Sequence, residues 1–173
     1  MRLRRLARSN SAALRSSKRL PVEPKVALTT PQSAPNRSVA AFTQAVVHDP
    51  AYSQADAGLA ECYDRMPEFT SRPRSQAFPR AIAAAGKAVA LDDSLGEAHR
   101  ALAFALFYWE WNVPRAFAEY RRAIVIDPHD EEAHHWFATS LFSLHRYSEA
   151  LAEINQARKL NPTSRSILSD QAL

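Results

Sequence analysis

Three histidines and three acids crowd the stretch from His129 to His135: His129, Asp130, Glu131, Glu132, His134 and His135. Imidazole and carboxylate are zinc ligands, so this is the first place to test for metal chemistry. The spacing argues against it. His134 and His135 are consecutive and point about 100° apart on a helix, whereas two ligands on one helical face need a separation of three or four. Cys62 is the only cysteine, which excludes an intramolecular disulfide and a cysteine-cluster metal site. Its neighbours Glu61 and Asp64 raise rather than lower a thiol pKa, so it reads as an inert, half-buried thiol. No Gly-rich phosphate loop, nucleophile elbow or His-Glu-x-x-His stands in the chain. No enzyme activity, cofactor or metal is expected.

A third group differs in kind. Phe104, Phe107, Tyr108, Trp109 and Trp111 cannot all face one core on a regular helix. Phe104, Phe107, Tyr108 and Trp111 follow one 3-4 stripe, and Leu102, Leu106 and Trp109 another. One stripe is expected to face outward or into a binding groove, where aromatics are enriched in hot spots; the alternative is that both enlarge the core between units.

The elements that position these residues are helical. Of 173 residues 46% are hydrophobic and only three are glycine, and alanine abounds, a balance that favours helix over sheet. The formal charge of +4 is unevenly spread. Residues 1–37 hold nine Lys or Arg against Glu23 alone, a charge of +8, which leaves −4 on the remainder. Residues 1–36, rich in Arg, Ser and Pro without a sustained apolar period, read as a disordered tail. Leu3, Leu6 and Leu14 alternate with arginines before the first acid, so a mitochondrial transit peptide is the alternative to a cytoplasmic protein. Nucleic-acid contact, the least favoured function, would have to rest on this tail. The longest strongly apolar run, Ala101 to Trp109, has nine residues, too few for a membrane span.

Turn signals recur at residues 48–50, 91–94, 126–128 and 160–162. Glu97, Ala98 and His99 repeat 35 residues on as Glu132, Ala133 and His134, and Leu106 and Phe107 as Leu141 and Phe142. Ala116, Ala123 and Pro128 repeat 34 residues on, as Ala150, Ala157 and Pro162. The change from 35 to 34 places one extra residue near Trp109 to Pro114. Helices are expected over 38–48, 53–66, 77–91, 96–109, 113–126, 131–144 and 147–160, with a stub after Thr163. Ser94 with Glu97, Ser53 with Asp56, and Asn112 ahead of Pro114 mark helix starts.

This helical-hairpin unit of about 34 residues resembles the tetratricopeptide repeat. Phe137, Ala138, Leu141, Ala150, Ile154, Ala157 and Pro162 carry the likeness in the last unit, and Leu102, Ala103, Leu106, Ala116, Tyr120, Ala123 and Pro128 in the one before. The wording of residues 58–63, 77–81, 90–99 and 107–112 is similar to repeat regions of bacterial multidomain regulators that carry winged-helix, cyclase or kinase domains. The resemblance implies an all-α solenoid: a partial unit 37–52, a divergent unit 53–95 with a long inserted loop 65–78, units 96–130 and 131–164, and a C-terminal stub. It also implies small residues where helices cross, Ala103 against Ala116 and Ala138 against Ala150.

The same resemblance implies that the first helix of each unit lines a concave groove. Carried over by position, the groove residues are Glu61, Asp64 and Arg65, with Gln54 and Ala57; Glu97, Arg100, Phe104, Phe107 and Tyr108; and Glu132, His135, Thr139 and Phe142, with Ser143. Chaperone-tail clamps of this family use Lys and Asn where this chain has Ala57 with Glu61, Arg100 with Phe104, and His135 with Thr139, a departure that favours an apolar helix or extended peptide as ligand. The expected role is a non-catalytic protein-interaction module. The alternative is the sensor or scaffold part of a larger regulator, able to self-associate through uncapped ends.

Overall fold

The computed structural model describes residues 34–170 and is built from helices alone over that span. The disordered-tail, transit-peptide and nucleic-acid expectations for the amino terminus fall on residues outside it, except at 34–36, which open a helix rather than continue the tail. In chain order the helices are α1 (Ala34–His48), α2 (Ser53–Phe69), α3 (Arg74–Leu91), α4 (Gly96–Ala105), α5 (Val113–Ile126), α6 (Glu131–Ser143), α7 (Tyr147–Leu160) and α8 (Arg165–Asp170). A π-helical turn, Leu106–Glu110, continues α4.

Helices α2/α3, α4/α5 and α6/α7 pair as hairpins, and α2, α4 and α6 also touch one another in succession. The result is two layers, with opening helices in one and closing helices in the other, an α-solenoid. Helix α1 packs on α2 as a closing helix, and α8 packs on α7 at the spacing of a further opening helix. Alanine is the main spacer: Ala60, Ala85, Ala101, Ala103 and Ala116 are all fully buried in the central core. Helices approach closely only where side chains are small. Ala138 and Ala150 are buried as well.

The segment 65–78 departs from the expected inserted loop. Helix α2 runs on through Pro67 in its last turn and α3 starts at Arg74 and runs through Pro79, so residues 70–73 alone form the connection. The backbone hydrogen bond that each proline removes is offset by burial of its neighbours. Met66, Ala77, Phe78 and Ala81 are buried to within 1%. Thr70 closes α2 by donating from both its amide and its hydroxyl to the Met66 carbonyl, at 3.0 and 2.8 Å.

Two helix starts also differ from expectation. Ser94 turns back to Asp92 at 2.6 Å instead of capping α4, and Ser53 is the first residue of α2, bonded to the Gln54 side chain. Asn112 does cap α5, accepting from the Arg115 amide at 3.4 Å, and Asp130 caps α6 through the Ala133 amide at 3.0 Å.

The extra residue of the 35-residue spacing has a structural address. Trp111 and His145 hold left-handed φ of 55° and 60° at the ends of the two opening helices, 34 residues apart. The carbonyls that receive the closing bonds, Leu106 (from Asn112) and Leu141 (from Arg146), are 35 apart. The insertion therefore lies between Leu106 and Trp111, taken up as the π-helical turn.

Candidate functional site

The histidine stretch is a seam between hairpins. In the ring of His134, Nδ1 meets Glu153 Oε2 at 2.6 Å and Nε2 meets the Pro128 carbonyl at 3.3 Å. His99 repeats the arrangement, with Nδ1 to Glu119 Oε2 at 2.7 Å and Nε2 to the Asp93 carbonyl at 3.1 Å. Each ring ties the closing helix of its own hairpin to the turn that precedes its opening helix. The hydrogen bond to Glu119 raises the His99 pKa against burial; at His134 burial is the largest influence and pulls downward, but the bond and charge of Glu153, the Pro128 carbonyl and Asp130 together outweigh it. His135 spends Nε2 on Asp170 of α8 at 2.7 Å, and His129 stands exposed on the turn. The three histidines are thus dispersed. Cys62 is half-buried, and burial with the Glu61 carboxylate pushes its thiol pKa up.

Arg100, 8% exposed, is the centre of the opening-helix layer. Its guanidinium pairs with Glu61 of α2 and with Asp130, reaches Glu132 at 3.4 Å, and lies over the Trp136 ring at 5.3 Å. Burial works against its charge, yet the three carboxylates outweigh burial and raise its pKa. One cation thereby clips three successive hairpins. Glu61 is itself raised, first by burial, then by Glu132 and Glu97, with Arg100 opposing. Asp64 lies one turn on from Glu61, 1% exposed, and neither carboxylate oxygen has a hydrogen-bond partner. Burial and the nearby Glu61 hold its pKa well above the usual carboxylate range.

The aromatic stripes resolve in a way a uniform helical period does not foresee. Phe107 is fully buried, stacked on Phe117 at 6.2 Å, and its assignment to the groove is corrected to core. The π-helical turn adds a residue to the period and rotates Phe107 inward, while Trp109 and Trp111 turn outward. Phe104 and Tyr108 stay partly exposed, 4.5 Å apart, and Phe104 meets Trp136 at 4.9 Å. The Tyr108 hydroxyl donates to Thr139 Oγ1 at 3.3 Å.

The other carried-over positions fall as follows. Gln54, Arg65 and Glu97 are exposed, whereas Ala57 is buried. Arg65 reaches Glu132 at 3.7 Å. Phe142 is 39% exposed against Tyr147, and Ser143 is exposed beside it. Two clefts share Tyr108 and Thr139. One of about 440 Å³ includes Arg65, Glu132, His135 and Trp136, and one of about 560 Å³ includes Phe142, Tyr147 and Leu151. Position counting did not single out Trp136, Tyr147 or Leu151, which come from a packed face and a closing helix.

A two-layered array of helical hairpins with an open trough across its opening helices is a helical-repeat architecture. The fold is that of the tetratricopeptide repeat. Solved structures place it there: TTC0263, a thermophilic TPR protein of Thermus thermophilus, matches at a TM-score of 0.66 and 17% identity over 80% of this chain and 71% of its own. The Arabidopsis OM64 TPR domain matches at 0.52 and 20% identity over 68% of this chain and 94% of its own. The first TPR of Spaghetti (RPAP3), solved bound to the HSP90 peptide SRMEEVD, matches at 0.51 and 16% identity over 57% of this chain and 78% of its own. The sequence matches no protein-family model and no curated protein. Among the described residues no helix is long and apolar enough to cross a membrane.

Proposed function

We propose that the chain is a non-catalytic protein-interaction module whose trough across α2, α4 and α6 takes an extended or helical peptide. The observation that carries this reading is the junction of the two clefts at Tyr108 and Thr139, with Phe104 and Phe142 on either side. Half-exposed aromatics on rigid helices supply apolar contact at low entropic cost. The Spaghetti domain holding a peptide is a precedent for peptide binding on this fold.

The chemistry favours a ligand unlike that acidic tail. Arg100 is consumed by Glu61, Asp130 and Glu132, and the His135 ring is bonded to Asp170, so the polar groups at the carried-over clamp positions are already partnered. A ligand with apolar side chains and few acids fits better. The test is selection from a displayed peptide library on the full chain, followed by titration of the selected peptides. Phe104→Ala with Tyr108→Ala is expected to weaken binding at least tenfold, about 1.4 kcal/mol or more, with helicity retained. Unchanged affinity in that variant would remove the trough as the binding site.

A further inference from the structure

Where α2 gives way to α3 lies a cleft of about 480 Å³ that the seams between hairpins do not use. Asp64 forms part of its lining, almost wholly buried with both carboxyl oxygens unpartnered; among the described residues no other buried carboxyl group is in that state. Burial and the Glu61 charge favour its neutral form, in which one oxygen carries a proton to donate. A buried donor without an acceptor is costly unless something supplies one.

The rest of the lining is basic. Arg72, half-buried, and Arg74 both border the cleft, and neither forms an ion pair with a described residue, whereas Arg65, Arg100, Arg115, Arg122 and Arg146 each reach a carboxylate. The Arg74 guanidinium rests over the Phe78 ring at 5.3 Å, a contact that leaves its charge without an acid. The cleft also reaches the start of α3 at Pro73, which has no side chain to cap the helix, and no acid stands in the first turn. The positive end of an 18-residue helix therefore adds to the two guanidiniums. Against them stands one lining carboxylate, Glu68. The balance suits a single negative charge. A phosphoryl group, with about −1.5 to −2, would meet repulsion from Glu68 for its second charge.

The cleft shares Phe104, Arg74 and Glu68 with the 440 Å³ cleft of the trough, so a chain lying in one can place a side chain in the other. We propose that this cleft takes one acidic side chain, aspartate or glutamate, of the peptide held in the trough. Arg72 and Arg74 hold its carboxylate, and Asp64 donates to an acceptor of the same residue. The inference rests on the trough reading and adds one carboxylate to an otherwise apolar ligand. It lies apart from the carried-over groove positions, because the two arginines belong to the connection between α2 and α3 and to its end.

The test begins with benzoate, a carboxylate on an apolar ring, against benzamide and phenyl phosphate, in ligand-observed NMR titrations of the full chain at low salt. Benzoate is expected to bind about tenfold tighter than either, and Arg72→Gln with Arg74→Gln to remove that preference, with melting curves confirming the fold. Asp64→Leu is expected to weaken benzoate by about threefold, whereas Asp64→Asn, which keeps a neutral donor, binds it as the wild type does. Peptides selected from the displayed library are expected to share one Asp or Glu at a fixed distance from their apolar positions. Replacing that residue by Asn or Gln should cost about tenfold on the wild type and nothing on the double arginine variant. Benzoate no tighter than benzamide, a preference that survives loss of both arginines, tighter binding of phenyl phosphate, or selected peptides without a fixed acid would each overturn the proposal. Peptides that lack the acid yet still require Phe104 and Tyr108 leave the trough standing; if that requirement fails too, both readings fall.

Discussion

Arg100→Met is the most direct probe of how the array is held together, because methionine keeps the apolar stem and removes only the charge. Three carboxylates then lose the guanidinium, though Glu132 keeps Arg65 at 3.7 Å. The Asp130 side chain is only 9% exposed and keeps only its capping bond from the Ala133 amide at 3.0 Å, so most of the cost falls there. Breaking one side of a buried ion pair costs ~3–5 kcal/mol. Glu61 and Glu132 are each about a third exposed and add little after solvent screening. Loss of the guanidinium over Trp136 contributes ~0.5–2 kcal/mol. The total expected at pH 7 is about 4 kcal/mol, a large part of the stability of a domain this size. The sign with pH follows from Glu61. Its folded-state pKa is already raised, and removing Arg100, which opposes that rise, raises it further. The folded variant therefore holds its proton more tightly than the unfolded chain, and its stability falls as pH rises through the folded-state value. Urea unfolding of both proteins at neutral pH and near the carboxylate range measures this directly. The gap is expected to narrow in acid, and Glu61→Gln in the Arg100→Met background should recover part of it at pH 7. A loss below about 1 kcal/mol, or the same loss at both pH values, would refute the claim that Arg100 clips the hairpins electrostatically.

Phe107→Ala should destabilise by ~3–5 kcal/mol and Phe142→Ala by under about 1 kcal/mol, measured by thermal melting, since one ring is fully buried and the other 39% exposed. Because the pKa values of His99 and His134 are raised above the ordinary 6.5, their contribution is fully present below that value and is lost as pH rises through the folded-state values. The urea midpoint should therefore fall as pH rises above 6.5, and Glu119→Gln with Glu153→Gln should flatten the slope. His145→Gly should stabilise by about 0.5–1 kcal/mol in the same melts, because a non-glycine residue there holds φ of 60°.

The fold was legible because the repeat is written at the positions that pack. Alanines at 103, 116, 138 and 150 are all buried, and the doubled Glu-Ala-His marks two copies of one seam. The repeat pairs His134 with His99, but the ring partner Glu153 is hidden by distance along the chain. The stretch 65–78 misled: it reads as an inserted loop, whereas burial of Met66 and Phe78 carries helix through Pro67 and Pro79. The serines misled too, because Asp92 competes for Ser94 within the turn. Of the carried-over groove positions, Phe104, Tyr108 and Thr139 line the clefts, whereas Ala57 is buried although its helix is regular. Phe107, one residue into the π-helical turn, does not line the trough.

That one residue bears on the proposed function as well as the fold. In the last unit the residue equivalent to Phe107 is Phe142, which precedes a regular helix end and stays half-exposed beside Tyr147. In the preceding unit the π-helical turn draws Phe107 under Trp111, at 5.1 Å between ring centres, and the trough keeps Phe104 and Tyr108 there instead. A single insertion thus accompanies the turn of the aromatic at this position from the open trough into the core, and both units close on the same left-handed residue, Trp111 and His145. Removing one residue between Leu106 and Trp111 should restore the 34-residue spacing and turn the Phe107 position toward the trough. Such a deletion variant that still melts cooperatively but has lost the peptide selectivity of the wild type would tie the aromatic arrangement of the trough to the insertion. Unchanged selectivity would show that the trough reads its ligand through the flanking charges alone.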